Sequence, residues 1–207
     1  LRRSGRYLPM IQNVFRAEGR PLYLAYVPIV ESAFSPNALS RAKAKGMWQF
    51  MRGTATENGL RQDWFVDERS DPEKATLAAA KYLKKLHRMF DGDWHLALAS
   101  YNGGPGTLQR AIRRTSRDDF WTLTQAQRSL PRETREYVPM ILAAIIVAKN
   151  PAQYGFETEV DLRHMAFRNF TDTGLLASGA PATAEVVVEN SLFEDCRRGV
   201  AFLNLND

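Results

Sequence analysis

The strongest constraint on how this chain folds is its punctuation: helix-starting and helix-ending residues recur along most of it, with apolar residues at helical spacing between them. Asp71, Pro72 and Glu73 combine an N-terminal cap, a proline suited to the first turn and an acid that the helix dipole favours. Leu77, Ala80, Leu83, Leu86 and Phe90 then recur on one side as far as Gly92. Asp93 caps a second segment, "DWHLALASYNGGPG", which glycines close. Pro105 opens a third with Leu108, Ala111 and Ile112 inward, and Pro131 opens a long one through Tyr137, Ile141, Leu142 and Ile145 to Asn150, before Pro151. Upstream, Tyr7, Leu8, Ile11, Val14 and Phe15 share a helical face that Gly19 ends. Pro21 starts a segment carrying Leu22, Ala25, Ile29 and Glu31, in which Pro28 is a kink or a restart. From Ser35 to Lys45 the periodicity vanishes, so "SPNALSRAKAKG" reads as a basic loop, followed by a short helical piece around "MWQFM".

Beyond Phe156 the pattern changes. "AEVVVENSLFEDC" and "RRGVAFLNLND" have the Val and Phe content and the alternation of short strands. About 50 residues are few for an independent core, so this tail is expected to pack on the body or on a partner. The chain therefore reads as a mainly α body over residues 1–157 and a C-terminal extension of β character over 158–207. Charge divides the same way, with 24 Lys+Arg against 15 Asp+Glu in the body and 4 against 8 in the extension. A basic body suits nucleic acid, an anionic membrane surface or an acidic wall polymer, and composition does not choose among them. The longest apolar run, Val138 to Ala148, is broken by Pro139 and falls short of the roughly 20 residues that a spanning helix needs. Leu1 opens the chain without a signal pattern, and any leader is expected to have been removed. A lone Cys196 excludes an internal disulfide and reads as incidental.

Within the second helical segment, "PIVESAFSP" sets one carboxylate among apolar and small residues. Burial there would disfavour the charged form of Glu31 and raise its pKa, which a general acid needs. For a glutamate taken alone, a helix-end carboxylate bonded to a nearby Arg or Lys is the commoner reading. Its company changes that. "VESAF" is followed by "GMWQF", then by "ALASYNGGPG", and finally by "ETREYVP" on the last long helix. This ordered set resembles the catalytic domain of the family 1 lytic transglycosylases, the Slt type, and within it the membrane-bound murein transglycosylase D group, over roughly residues 6 to 157.

The resemblance implies a lysozyme-like fold of the goose type for residues 1–157. It implies Glu31 as the single catalytic acid and base, with Ser32 orienting groups beside it. Gly46, Met47, Trp48 and Gln49 match a motif that lines the sugar groove, with Trp48 in a slot commonly filled by a smaller apolar residue. Tyr101 and Asn102 match a motif that contacts substrate and supports the glutamate, and Tyr137 a tyrosine whose hydroxyl reaches the acid. Trp48 and Tyr101 are expected to pack on sugar rings. Arg41, Lys43 and Lys45 either meet carboxylates of the substrate or form a solvated basic loop.

The implied reaction cleaves the β-1,4 bond between N-acetylmuramic acid and N-acetylglucosamine and leaves 1,6-anhydro ends. Most glycosidases use two carboxylates. Asp63, Asp67 and Asp93 lie in polar connections or at a helix start and have no counterpart in the matched motifs, so a single-acid site is expected. Peptidoglycan glycan strands are the implied partner and the periplasm or cell envelope the implied location, with membrane association only through parts outside this chain. A monomer is expected.

No metal is implied, since His87, His95 and His164 are widely spaced without ligand companions, and "DGD" at 91–93 lacks the rest of a calcium loop. No cofactor is implied either. The alternatives are a hydrolase on the same fold, a glycan-binding scaffold without chemistry, and a basic nucleic-acid-binding domain using Lys84, Lys85, Arg88, Arg110, Arg113 and Arg114. The last lacks a helix-turn-helix signature, so no nucleic acid is expected.

Overall fold

The computed structural model describes residues 3–126 and 128–155, and beyond them the backbone of six short strands. The helices run in the order α1 (Ser4–Ala17), α2 (Val27–Ser32), α3 (Arg52–Glu57), α4 (Pro72–Met89), α5 (Trp94–Gly103), α6 (Pro105–Thr115), α7 (Phe120–Gln125) and α8 (Arg132–Lys149), with single 3-10 turns at Leu22–Tyr26, Glu68–Ser70 and Pro151–Tyr154.

Side-chain caps place the central helices. The Asp71 carboxylate accepts from the Glu73 and Lys74 amides and starts α4; Asp93 accepts from His95 and Leu96 and starts α5; Asp119 accepts from Thr122 and starts α7. Each such cap contributes about 1 kcal/mol. Helices α4 and α5 meet through small residues: Ala75, Ala78, Ala79, Ala80, Ala97 and Ala99 are all buried. Around them lie Phe15, Leu24, Phe34, Trp48, Leu83, Leu86, Leu98 and Leu108, which make one continuous core.

Two local expectations are corrected. Leu77 is 37% exposed, so α4 buries its alanine side rather than the predicted leucine. Residues 46–50 form a turn, not a helix. Gly46 and Gln49 hold φ of +85° and +48°, which an α-helix does not accommodate, and bridges from Lys45 to Leu39 and to Phe50 close the loop. Regular helix begins only at Arg52. The connection carrying Phe120 and Trp121 contains the capped helix α7. Pro28 marks a restart: a 3-10 turn precedes it, and it occupies the first turn of α2.

The chain divides into two compact units, Tyr7–Ala148 and a second comprising Leu1–Arg6 with Lys149–Asp207. In the latter, β1 (Val160–Asp161) pairs with β4 (Val186–Val187), β2 (Ala166–Arg168) with β5 (Leu192–Glu194) and β3 (Leu176–Ser178) with β6 (Ala201–Leu203), all parallel. Partners lie 26, 26 and 25 residues apart, so the second set of strands pairs with the first at a nearly constant offset. Cys196, His164 and the expected packing of the tail on the body fall outside the described residues.

Candidate active site

Helix α2 is only six residues long, and its abrupt end fixes Glu31. Ala33 and Phe34, which follow the helix, are both left-handed, with φ of 49° and 58°. Non-glycine residues adopt that conformation at a cost of order 1–3 kcal/mol, and the surroundings must over-determine it. Here the Ala33 amide donates to Ile29 and the Phe34 amide to Pro28, while the Phe34 side chain is buried in the core. Glu31, in the last turn, faces a groove of about 630 Å³ whose lining includes Gln49, Tyr101, Asn102, Glu133 and Tyr137.

Across this groove the Tyr137 hydroxyl of α8 donates a hydrogen bond to the Glu31 carboxyl. Burial pushes the Glu31 carboxyl up from the ordinary range to about 7, against the lowering effect of the Tyr137 bond, and the nearby Glu133 charge pushes the same way. Among the described residues no cation opposes the rise. Burial also drives the Tyr101 and Tyr137 hydroxyls well above their usual range, with the Glu31 charge adding to it, so both remain donors. Tyr101 donates to the Trp48 carbonyl at 2.7 Å, and its ring packs against Phe50 and Tyr82. Asn102 donates to Glu133 at 3.3 Å and accepts from Thr134 at 3.0 Å, which ties the end of α5 to the start of α8.

The structure brings Glu31, Gln49, Tyr101, Asn102 and Tyr137 into one groove. The other predicted residues are set behind it. Ser32 donates to the Met47 carbonyl at 2.9 Å and accepts from the Ser35 amide, so it staples α2 to the 46–50 turn rather than facing the groove. Gly46 is required by space: a Cβ there would stand 1.8 Å from the Arg69 carbonyl oxygen. Met47 is buried.

Trp48 is corrected outright. Its side chain has no exposure, stacks on Phe15 with centroids 5.5 Å apart and donates to Thr76 at 3.0 Å, so no sugar ring reaches it. Of the basic loop, Arg41 lines the groove, whereas Lys45 pairs with Asp67 at 3.3 Å and Lys43 contributes its carbonyl to Arg69. Gln49 donates to the Gly46 carbonyl at 2.8 Å, which orients its amide within the turn.

Sequence reasoning missed Glu133 as a groove residue. It lies four positions before Tyr137, one helical turn away on the same face of α8, so placing Tyr137 at the groove implies Glu133 as well. The three aspartates weighed as second carboxylates are committed elsewhere: Asp63 to Arg61 and two backbone amides, Asp67 to Arg69 and Lys45, Asp93 to the cap of α5. Among the described residues no cluster of three or more His, Cys, Asp or Glu side chains could hold a metal ion, and no helix is long and apolar enough to cross a membrane.

Residues 10–124 match the family model described as the Transglycosylase SLT domain. Membrane-bound lytic murein transglycosylase D of Escherichia coli K12 is 40% identical over 157 residues, covering 74% of this chain and 34% of that protein. Peptidoglycan transglycosylase gp16 of Escherichia phage T7 is 39% identical over 137 residues, covering 65% of this chain and 10% of that protein. Thus the chain spans about a third or less of the length of these curated relatives. Among solved structures, the 70 kDa soluble lytic transglycosylase of E. coli superposes with a TM-score of 0.59 at 25% identity, covering 72% of this chain and 25% of that one. The helical body, the groove with its half-buried glutamate and these likenesses agree: the chain belongs to the Transglycosylase SLT domain family.

Proposed function

We propose that this domain is a peptidoglycan lytic transglycosylase that cleaves the β-1,4 bond between N-acetylmuramic acid and N-acetylglucosamine, with Glu31 acting first as acid and then as base. The observation that carries the reading is the placement of Glu31: its carboxyl faces the groove and is bonded to Tyr137, with burial pushing its pKa up to about 7 and no cation among the described residues paired with it. A carboxyl with that pKa holds a proton at working pH and releases it readily, as general acid–base exchange demands.

Protonated Glu31 donates its proton to the glycosidic oxygen as the bond from that oxygen to the muramoyl anomeric carbon breaks. The substrate's 2-acetamido group shelters the positive charge. Glu31, now a carboxylate, takes the proton of the muramoyl C6 hydroxyl, whose oxygen closes on the anomeric carbon. The products are a free N-acetylglucosamine hydroxyl and a 1,6-anhydro end, and no water is consumed. Holding the sugar so that its own hydroxyl attacks supplies a large proximity advantage. Tyr137 orients the carboxyl, Tyr101 and Asn102 shape the groove wall, and Gln49 and Arg41 offer polar contacts to the glycan. A bacterial envelope location and a monomeric domain accompany this reading, and the names of the murein and peptidoglycan transglycosylases it resembles support the substrate class.

Glu133 favours one second reading. A second carboxylate in the groove is what a hydrolase uses to activate water. Mass spectrometry of muropeptides released from sacculi separates the two, with anhydro ends expected. Reducing ends assign hydrolysis, and no release from a folded protein leaves a binding scaffold.

A further inference from the structure

Two of the arginines noted in the sequence, Arg110 and Arg114, have no part in the glutamate chemistry. With Arg128 and Arg135 they line a second cavity, of about 1040 Å³, whose described lining contains no acidic side chain. Five other cations, Lys45, Arg61, Arg69, Lys74 and Arg132, do pair with a carboxylate. None of the four cleft arginines pairs with a carboxylate among the described residues. Arg114 is braced, donating to the Arg128 carbonyl at 2.8 Å and the Ser129 carbonyl at 3.1 Å, while Arg110 has only a 3.3 Å contact to Thr107. Concentrating unmatched guanidinium groups in a concavity focuses positive potential. Their planar forks suit carboxylate or phosphate oxygens.

The position of the cleft narrows the choice. On α8, Glu133, Tyr137 and Met140 line the catalytic groove, whereas Arg135, with Pro131 just before the helix, lines the arginine cleft. On α6, Pro105 lines the groove and Thr107, Arg110 and Arg114 line the cleft. The first turns of α8 thus form a wall between the two cavities, about 10 Å thick with its side chains. An extended peptide gains roughly 3.3–3.6 Å per residue, so three or four residues cross that wall.

We propose that the arginine cleft binds the carboxylates of the peptide side chains carried by a glycan strand in the groove, an inference that rests on the transglycosylase reading. It makes the enzyme prefer peptide-bearing over bare glycan. The test compares the wild-type protein with an Arg110→Gln/Arg135→Gln variant, leaving the braced Arg114 in place. Substrates are sacculi with peptides intact and the same material stripped of peptides by an amidase. The variant is expected to raise KM roughly five-fold or more on peptide-bearing material, with kcat kept, and to match wild type on stripped glycan.

An equal loss on both materials would assign the cleft to general attraction or to phosphate groups that survive the amidase, and overturns the proposal; so does no change on either. Sedimentation with uncleaved sacculi gives a readout independent of chemistry. If wild type binds but releases nothing, the transglycosylase reading fails, while peptide-dependent retention lost in the variant still supports the cleft. Equal retention of both proteins overturns it.

Discussion

Two carboxylates on either side of the 46–50 turn have opposite fates. Glu31 faces the groove bonded to a tyrosine and paired with no cation among the described residues, and its pKa rises to about 7. Asp67 is embraced by Arg69 at 2.7 Å and Lys45 at 3.3 Å, and its pKa falls to about 2. The difference lies in both burial and partners: desolvation raises Glu31 and its Tyr137 bond offsets only part of that, whereas the Arg69 and Lys45 bonds to Asp67 outweigh a smaller desolvation. Arg69 also donates to the Lys43 and Phe50 carbonyls and so fastens the loop that backs the groove. One region stabilises charge to hold the fold, and the other destabilises charge to keep a proton available.

The largest expected effect comes from removing the proton carrier. Glu31→Gln keeps an oxygen that accepts the Tyr137 hydroxyl but cannot donate or take a proton, and muropeptide release is expected to fall by 10²–10⁴-fold or more. The same variant sharpens the comparison in stability. The native state binds a proton at Glu31 more tightly than the unfolded chain does, so this group costs stability as pH rises from about 4.5 through about 7. Denaturant melts at pH 8 are expected to show the variant more stable by on the order of 1–3 kcal/mol, and the advantage to vanish at pH 4. Asp67 behaves in the reverse sense. Its stabilisation is present above the unfolded value of 3.8 and is lost as pH falls toward about 2. An Asp67→Asn variant is expected to lie below wild type at pH 7 and to converge with it in strong acid.

Next in size is Gly46→Ala. The new Cβ meets the Arg69 carbonyl at 1.8 Å in a left-handed backbone, so the 46–50 turn and the Arg69 segment must move apart. A loss of about 3 kcal/mol or more is expected in urea melts, with activity falling in parallel because Ser32 and Gln49 are both tied to this turn. A variant that stays stable yet is inactive would show that the turn acts on chemistry directly, and would dissolve the division between the two regions.

What was legible in the sequence follows the same division. Helices α4, α5 and α6 were placed by Asp71, Asp93 and Pro105 because capping and first-turn proline act locally and leave marks within three residues. Glu31 and Tyr137 were legible as a motif pair, though their contact spans 106 positions and no local rule could supply it. Trp48 was misjudged because an aromatic beside a functional motif has no local signature for direction. The left-handed Gln49 turns the segment, and a long-range bond to Thr76 holds the indole inside. Arg69 went unnoticed for a related reason. Its partners come from residues 43, 50 and 67, which only the closed loop gathers.

The finest test concerns the two neighbours of Glu31 on α8, which act on its pKa in opposite directions. The Tyr137 hydroxyl lowers it by bonding the carboxyl, and the Glu133 charge raises it by repulsion. Since the proposed acid must be protonated, activity falls above its pKa, and the alkaline limb of kcat/KM reports that value. Tyr137→Phe removes a stabiliser of the carboxylate, so the limb should move to higher pH while the rate at its plateau drops because the carboxyl is less well held. Glu133→Gln relieves the repulsion and keeps an oxygen able to accept from Asn102, so the limb should move to lower pH with little change at the plateau. Two limbs displaced to opposite sides of wild type identify Glu31 as the titrating acid and Glu133 as its electrostatic neighbour. A Glu133→Gln plateau that collapses as far as that of Glu31→Gln would instead give the groove two working carboxylates, and hydrolysis would become the better reading.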